Sequence, residues 1–263
     1  MKRFALVALV ALFAPAASAY ADVTVKATAS GKGIGMSSNM VTTTYIKGNK
    51  MRVDSVIGDA TTTMIFDVDN QKLYSFDSKK KEADVWKMQE FGKQVGSSVD
   101  TSGMKATVKP NGKTKQIAGK TANGYDMAIE VPAMMGGAGG MKMTVSLAGP
   151  MWVVKGAPGT QEYINFYKGA VEKGWIFSDP RGAKGSPGQA KAMAEMYKQL
   201  AETGGMPYET ETSMKMNGDG RMAGMLSKMG GMTAISTVQS VEVGAVAAEL
   251  FAPPAGYKLK EQK

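Results

Sequence analysis

Between Met40 and Met88 apolar and β-branched residues alternate with polar ones at a period of two. Met51, Val53, Ser55 and Ile57 fall on one side, with Arg52 and Asp54 on the other. Met64, Phe66 and Val68 point one way; Thr63, Ile65 and Asp67 point the other. Successive side chains leave a strand on opposite faces, so this period predicts half-buried strands. Lys47-Gly48-Asn49 and Asp69-Asn70-Gln71 stand where hairpin turns belong, because Gly and Asn tolerate the positive φ such turns need. The stretch reads as a four- or five-stranded antiparallel meander with one aromatic, apolar face.

The pattern extends in both directions. Val23 to Gly35 predicts a first strand, weakened at its end by Gly31, Gly33 and Gly35. Glu90 to Ser102 fits a short helix or a loop. Lys105 to Lys109 predicts a short strand ended by a Pro110-Asn111-Gly112 turn. Tyr125, Met127, Ile129 and Val131 share a strand face, as do Met141, Met143, Val145 and Leu147, and the wholly apolar Met151 to Val154 predicts burial. The period then becomes helical. Thr160 is placed to cap a helix running to about Lys173, and Ser186-Pro187-Gly188-Gln189 opens a second one that ends at Gly204-Gly205. Period two returns over Met206 to Met216 and Thr233 to Val243, and the aromatic tail around Leu250, Phe251 and Tyr257 predicts docking. The expectation is one continuous α+β domain, residues 20–263, with a helical insertion near 160–204.

Residues 1–19 read as a signal peptide. Met1-Lys2-Arg3 is basic, Phe4 to Ala14 is apolar but short, and Ala17-Ser18-Ala19 is a small-x-small cleavage site. Cleavage near Ala19 predicts an exported, periplasmic product, and no later run is apolar and long enough to predict a membrane span. Removing Lys2 and Arg3 lowers the formal charge from +9 to +7. The charges are interspersed, and Lys79-Lys80-Lys81 is the one tight run.

The chain resembles the LolA-like superfamily of exported bacterial proteins, whose best-known members carry lipoproteins. The resemblance rests on Gly48-Asn49-Lys50-Met51-Arg52-Val53-Asp54, on the hairpin Ile65-Phe66-Asp67 with Lys72-Leu73-Tyr74-Ser75-Phe76-Asp77, and on Leu250-Phe251 followed by Pro253-Pro254-Ala255-Gly256-Tyr257. It is most similar to an uncharacterised branch, a periplasmic domain of unknown function. The resemblance implies an antiparallel curved sheet or half-barrel with helices over the concave face, and an apolar ligand such as an acyl chain held there. Length and two Gly/Met-rich insertions set this chain apart from the lipoprotein carriers.

Composition narrows the chemistry. There is no His and no Cys, which removes the usual triads, thiol chemistry and the common zinc sets. No nucleophile elbow, phosphate loop or metal-spaced carboxylate set is present, so no catalytic residue, metal ligand or cofactor is expected and the chain reads as a non-enzyme. No strand face interleaves basic and aromatic residues as nucleic-acid binding would want. The leading expectation is a binding or carrier protein for an apolar or amphipathic molecule, a lipid or lipoprotein acyl chain, with transient membrane-surface contact. Its candidate lining is Met64, Phe66, Tyr74, Phe76, Trp86, Met88 and Trp152. Met222, Met225 and Met229 fall at helical spacing between glycines and predict that Asn217 to Met232 is a mobile cover over the concave face. The same apolar residues would equally serve as an ordinary filled core. Fifteen of the 22 methionines lie between Met127 and Met232, and Met141/Met143 or Met214/Met216 are soft thioethers suited to Cu(I). A copper-binding protein, or an envelope structural or interaction protein, is therefore the alternative.

Overall fold

The computed structural model describes residues 21–33, 36–97, 104–135, 141–175, 187–218 and 231–262. Strands β1 (Val23–Gly33), β2 (Met36–Lys47), β3 (Lys50–Ile57), β4 (Ala60–Asp67), β5 (Lys72–Asp77) and β6 (Glu82–Lys87) form one meander. Helix α1 (Met88–Ser97) leads to a second, β7 (Lys105–Ile117), β8 (Lys120–Met135) and β9 (Met141–Lys155). Helices α2 (Thr160–Glu172) and α3 (Pro187–Glu202) precede β10 (Gly205–Gly218) and β11 (Met232–Val243). A short 3₁₀ turn (Ala248–Phe251) and β12 (Lys258–Glu261) end the chain.

All twelve strands join in one open sheet of order β12-β6-β5-β4-β3-β2-β1-β11-β10-β9-β8-β7. Antiparallel pairing of β1 with β11 fuses the two meanders, so the first strand lies mid-sheet. Only β12 runs parallel to its neighbour, β6. Gly48 and Gln71 take positive φ in the two turns the sequence marks.

Two local expectations are corrected. Pro110-Asn111-Gly112 does not end a strand. It lies in a register shift within β7, with Gly112 at φ 75°, and the chain turns instead at Ala118-Gly119. The extra residues bulge out of the ladder, where Pro110 needs no N–H partner. Thr160 does not cap α2. Gly159 holds that position at φ 81°, and Thr160 is the first helical residue, its hydroxyl buried. A Cβ at residue 159 would press on Val23 and Val241, so the chain approaches β1 and β11 too closely there for a side chain.

Register assigns the faces. The row Tyr125–Met151–Thr210–Ser236–Ala29–Met40 runs across six strands, and Met40 shares its side of β2 with Ile46. Ile46 in turn pairs Met51, which pairs Phe66. Both helices after β9 cover this one face. Phe166, Tyr167 and Ala170 of α2 pack with Val23, Met51 and Phe66. Ala192 and Met196 of α3 pack on Met127, Ile129 and Val131, and Leu200 packs on Tyr125, Met151 and Val153. Tyr167 and Tyr197 stack at 4.9 Å and join the helices. No helix among the described residues is long and apolar enough to cross a membrane.

The opposite face of β1 to β6 is crossed by the C-terminal segment. Asp22 accepts from the Val246 N–H at 2.8 Å and from Lys47, which also donates to the Val246 carbonyl. Arg52 of β3 donates to the Leu250 carbonyl at 3.1 Å. Phe251 then packs with Ile65, Phe76 and Ala83, and Tyr257 meets Phe76 edge-on at 5.3 Å. The Lys258 N–H bonds the Lys81 carbonyl and opens β12. The segment thus fastens the first meander strand by strand, from its centre to its edge.

Candidate functional site

The helix-covered face changes character along the strands. Three adjacent cross-strand rows show how. The row Val23–Ile46–Met51–Phe66–Leu73–Trp86 is at most 4% exposed at every position, filled by α2, α1 and Trp175, whose ring lies 5.9 Å from Phe66. Two residues along, the row is Val25–Thr44–Val53–Met64–Ser75–Asp84. Val25 and Ser75 are buried, while Thr44, Val53, Met64 and Asp84 are half-buried. The next row, Ala27–Thr42–Ser55–Thr62–Asp77, is half-buried throughout, mostly hydroxylic, and ends on a carboxylate. The side-chain cover therefore thins toward the β3–β4 turn while apolar carbons give way to hydroxyls. Such a surface accepts a chain of methylenes and still offers hydrogen bonds to a polar group.

The predicted lining divides accordingly. Phe66, Trp86 and Met88 come together, in the filled row and the turn beyond it, where Trp86 and Phe91 meet edge-on at 6.2 Å. Met64 borders them in the half-open row. Tyr74 and Phe76 do not join that face. Phe66 pairs Leu73, and Phe76 stands three residues farther along β5, an odd step that puts it on the other side with Thr63. There Tyr74 and Phe76 form a separate cluster under Phe251 and Tyr257. Trp152, next to Met151 on β9 and paired to Gly124 and Glu209, is half-buried against the same apolar cluster that holds Phe66, Trp86 and Met88, with Lys115 Nζ 5.7 Å from its ring centre. Met222, Met225 and Met229 lie outside the described residues, as does most of the segment read as a cover. The alternation sets Val53 and Ser55 on the side of Met51 without marking them as lining, and Thr42 and Thr44 did not emerge from the sequence, because β2 carries hydroxyls on both its faces and alternation alone cannot say which is covered.

A tyrosine group, Tyr167 buried and Tyr163 and Tyr197 half-buried, sits where α2 meets α3. Tyr163 and Tyr167 lie 4.6 Å apart between ring centres, their hydroxyls hydrogen-bonded to each other. Burial pushes all three phenols of Tyr163, Tyr167 and Tyr197 upward, so they stay neutral donors. On the other side of the sheet, Thr63 donates to Asp54 at 2.7 Å and Arg52 holds the same carboxylate at 2.9 Å. Thr63 is buried, whereas the alternation suggests a solvated position. This network positions the C-terminal segment and faces away from the half-open rows.

Among the described residues, no group of three or more His, Cys, Asp or Glu side chains converges as metal ligands do. Met214 faces Met232 across β10 and β11.

No protein-family model matches the chain, and no curated protein matches it. Among solved structures it is similar to one described as a "putative outer membrane lipoprotein-sorting protein domain" from Vibrio parahaemolyticus, at 9% sequence identity and a TM-score of 0.30, over 89% of this chain and 90% of that one.

Proposed function

We propose that this protein is a non-enzymatic periplasmic binding or carrier protein for an amphipathic molecule of the lipid class. The sheet is read as a half-barrel with α2 and α3 over its concave face, and the ligand's apolar chain lies along the half-open rows. The supporting observation is the gradient from the filled Phe66 row to the half-buried Met64 and Ser55 rows. Here the cover stops where Thr42, Thr44, Ser55 and Thr62 begin. Burying a methylene chain against Val53, Met64 and Ala27 contributes about 25 cal/mol per Å² of apolar surface. The hydroxyls suit the polar linkage that an acyl chain ends in. The leader pattern of residues 1–19 supports periplasmic residence.

Native mass spectrometry of the protein isolated from the envelope of its own host tests this reading. The expected result is an added mass of lipid size that organic solvent strips. A protein that is empty after gentle isolation, and that also fails to take up added fatty acid or phospholipid, would contradict it.

A further inference from the structure

The β7 edge of the sheet carries a charge pattern that the binding site does not use. Between Asp100 and Asp126 the chain has five lysines, Lys105, Lys109, Lys113, Lys115 and Lys120, and no acidic residue. The fold concentrates them. All five lie on the β7–β8 hairpin, and Lys155 at the end of β9 joins them near its turn. Two are paired, Lys105 with Glu130 at 3.8 Å and Lys115 with Glu209 at 2.6 Å. Lys109, Lys113, Lys120 and Lys155 are exposed and form no ion pair among the described residues; Asp126, opposite Lys109 on β8, accepts from Asn111 at 2.9 Å instead. Lys155 rests 5.9 Å from the Tyr125 ring centre instead.

A bare edge strand invites another strand to pair with it, but this edge is blunted. Gln199 of α3 takes up the Val108 N–H at 2.8 Å and the Ala106 carbonyl at 2.6 Å with its side-chain amide. Pro110 offers no N–H, and the shift that follows it breaks the ladder. A peptide strand is therefore a poor occupant. The recognition groups are ammonium points on long stems, with no arginine fork to select one carboxylate. Such lysines suit a diffuse anionic surface, and half-buried Trp152 beside Lys115 supplies an aromatic of the kind that sits at headgroup level.

We propose that the basic β7–β8 hairpin docks the protein on an anionic phospholipid membrane. The contact is electrostatic and independent of any bound cargo. Each lysine brought against an anionic leaflet contributes about fivefold in partitioning. The test is co-sedimentation of the mature protein with vesicles of phosphatidylglycerol in phosphatidylcholine, and with phosphatidylcholine alone. Two triple variants are compared, K109Q/K113Q/K120Q on this edge and K79Q/K81Q/K258Q at the opposite edge, each shown to keep the wild-type melting temperature. The expected result is binding to anionic vesicles only, weakened by salt, falling about a hundredfold in the hairpin variant and little in the other. Equal partitioning onto both vesicle types, no binding to either, or an equal loss in the two variants would overturn the proposal.

Discussion

Phe66 and Phe76 belong to neighbouring strands of one hairpin, yet they face opposite sides of the sheet. Phe66 lies beneath Trp175, and Phe76 lies beneath Tyr257. Both are buried, so either change to Ala is expected to cost about 3–5 kcal/mol. Because the sheet separates them, the two costs should add to within about 0.5 kcal/mol in a double-mutant cycle. The pair Phe76 and Tyr257 should instead show a coupling of about 0.5–1.5 kcal/mol. Urea melts of the single and double variants measure both quantities.

Gln199 acts as a short stand-in for a neighbouring strand. Gln199→Leu keeps the side chain's bulk but removes the bonds to Val108 and Ala106. The expected cost is about 1–3 kcal/mol, since two backbone groups lose their partner. The bared edge should also promote self-association. Sedimentation velocity over a range of concentrations checks the second outcome and a urea melt the first.

Acid should weaken the fold through Asp67. Burial alone would raise its pKa, but hydrogen bonds from the Asn70 side chain, from Lys50 and from the Asn70 backbone together outweigh it, and the carboxyl sits below its usual range. A depressed folded pKa contributes stability that is complete above the unfolded value and lost as pH falls through the folded one. Wild-type urea midpoints should therefore drop between about pH 5 and pH 2. Asp67→Asn should start less stable at neutral pH, fall less steeply, and approach the wild type at the acid end. Parallel curves for the two proteins would show that this carboxylate does not matter.

Much of the first meander was legible in the sequence because period-two alternation and the Gly48 and Asn70-Gln71 turns agree with each other. Which face each aromatic takes was less so. Across a turn, parity depends on how many residues the turn consumes, and the pairing of Phe66 with Leu73 puts Phe76 on the far side. β12 was not visible at all, since a four-residue strand carries no period to read and its parallel pairing with β6 depends on how the tail crosses the sheet. The aromatic residues of the tail did predict docking, because exposing Phe251 and Tyr257 together would be costly. The half-open rows escaped notice for a physical reason as well. Thr42-Thr43-Thr44 is polar on both sides of its strand, so only the placement of α2 and α3 distinguishes the covered hydroxyls from the solvated ones.

In the proposed function an amphipathic ligand lies on the helix-covered face where the Ser55 row opens. Ser55 and Val56 are adjacent on β3 and point to opposite faces, so they form a matched pair of probes. The measurement is titration of a fluorescent fatty acid into the wild type and into Ser55→Trp and Val56→Trp, each with an unchanged circular dichroism spectrum. The expected result is binding to the wild type, loss of affinity of at least about tenfold in Ser55→Trp, and near wild-type affinity in Val56→Trp, because an indole at residue 55 fills the space the chain would occupy. Undiminished binding by Ser55→Trp, or an equal loss in both variants, would contradict it.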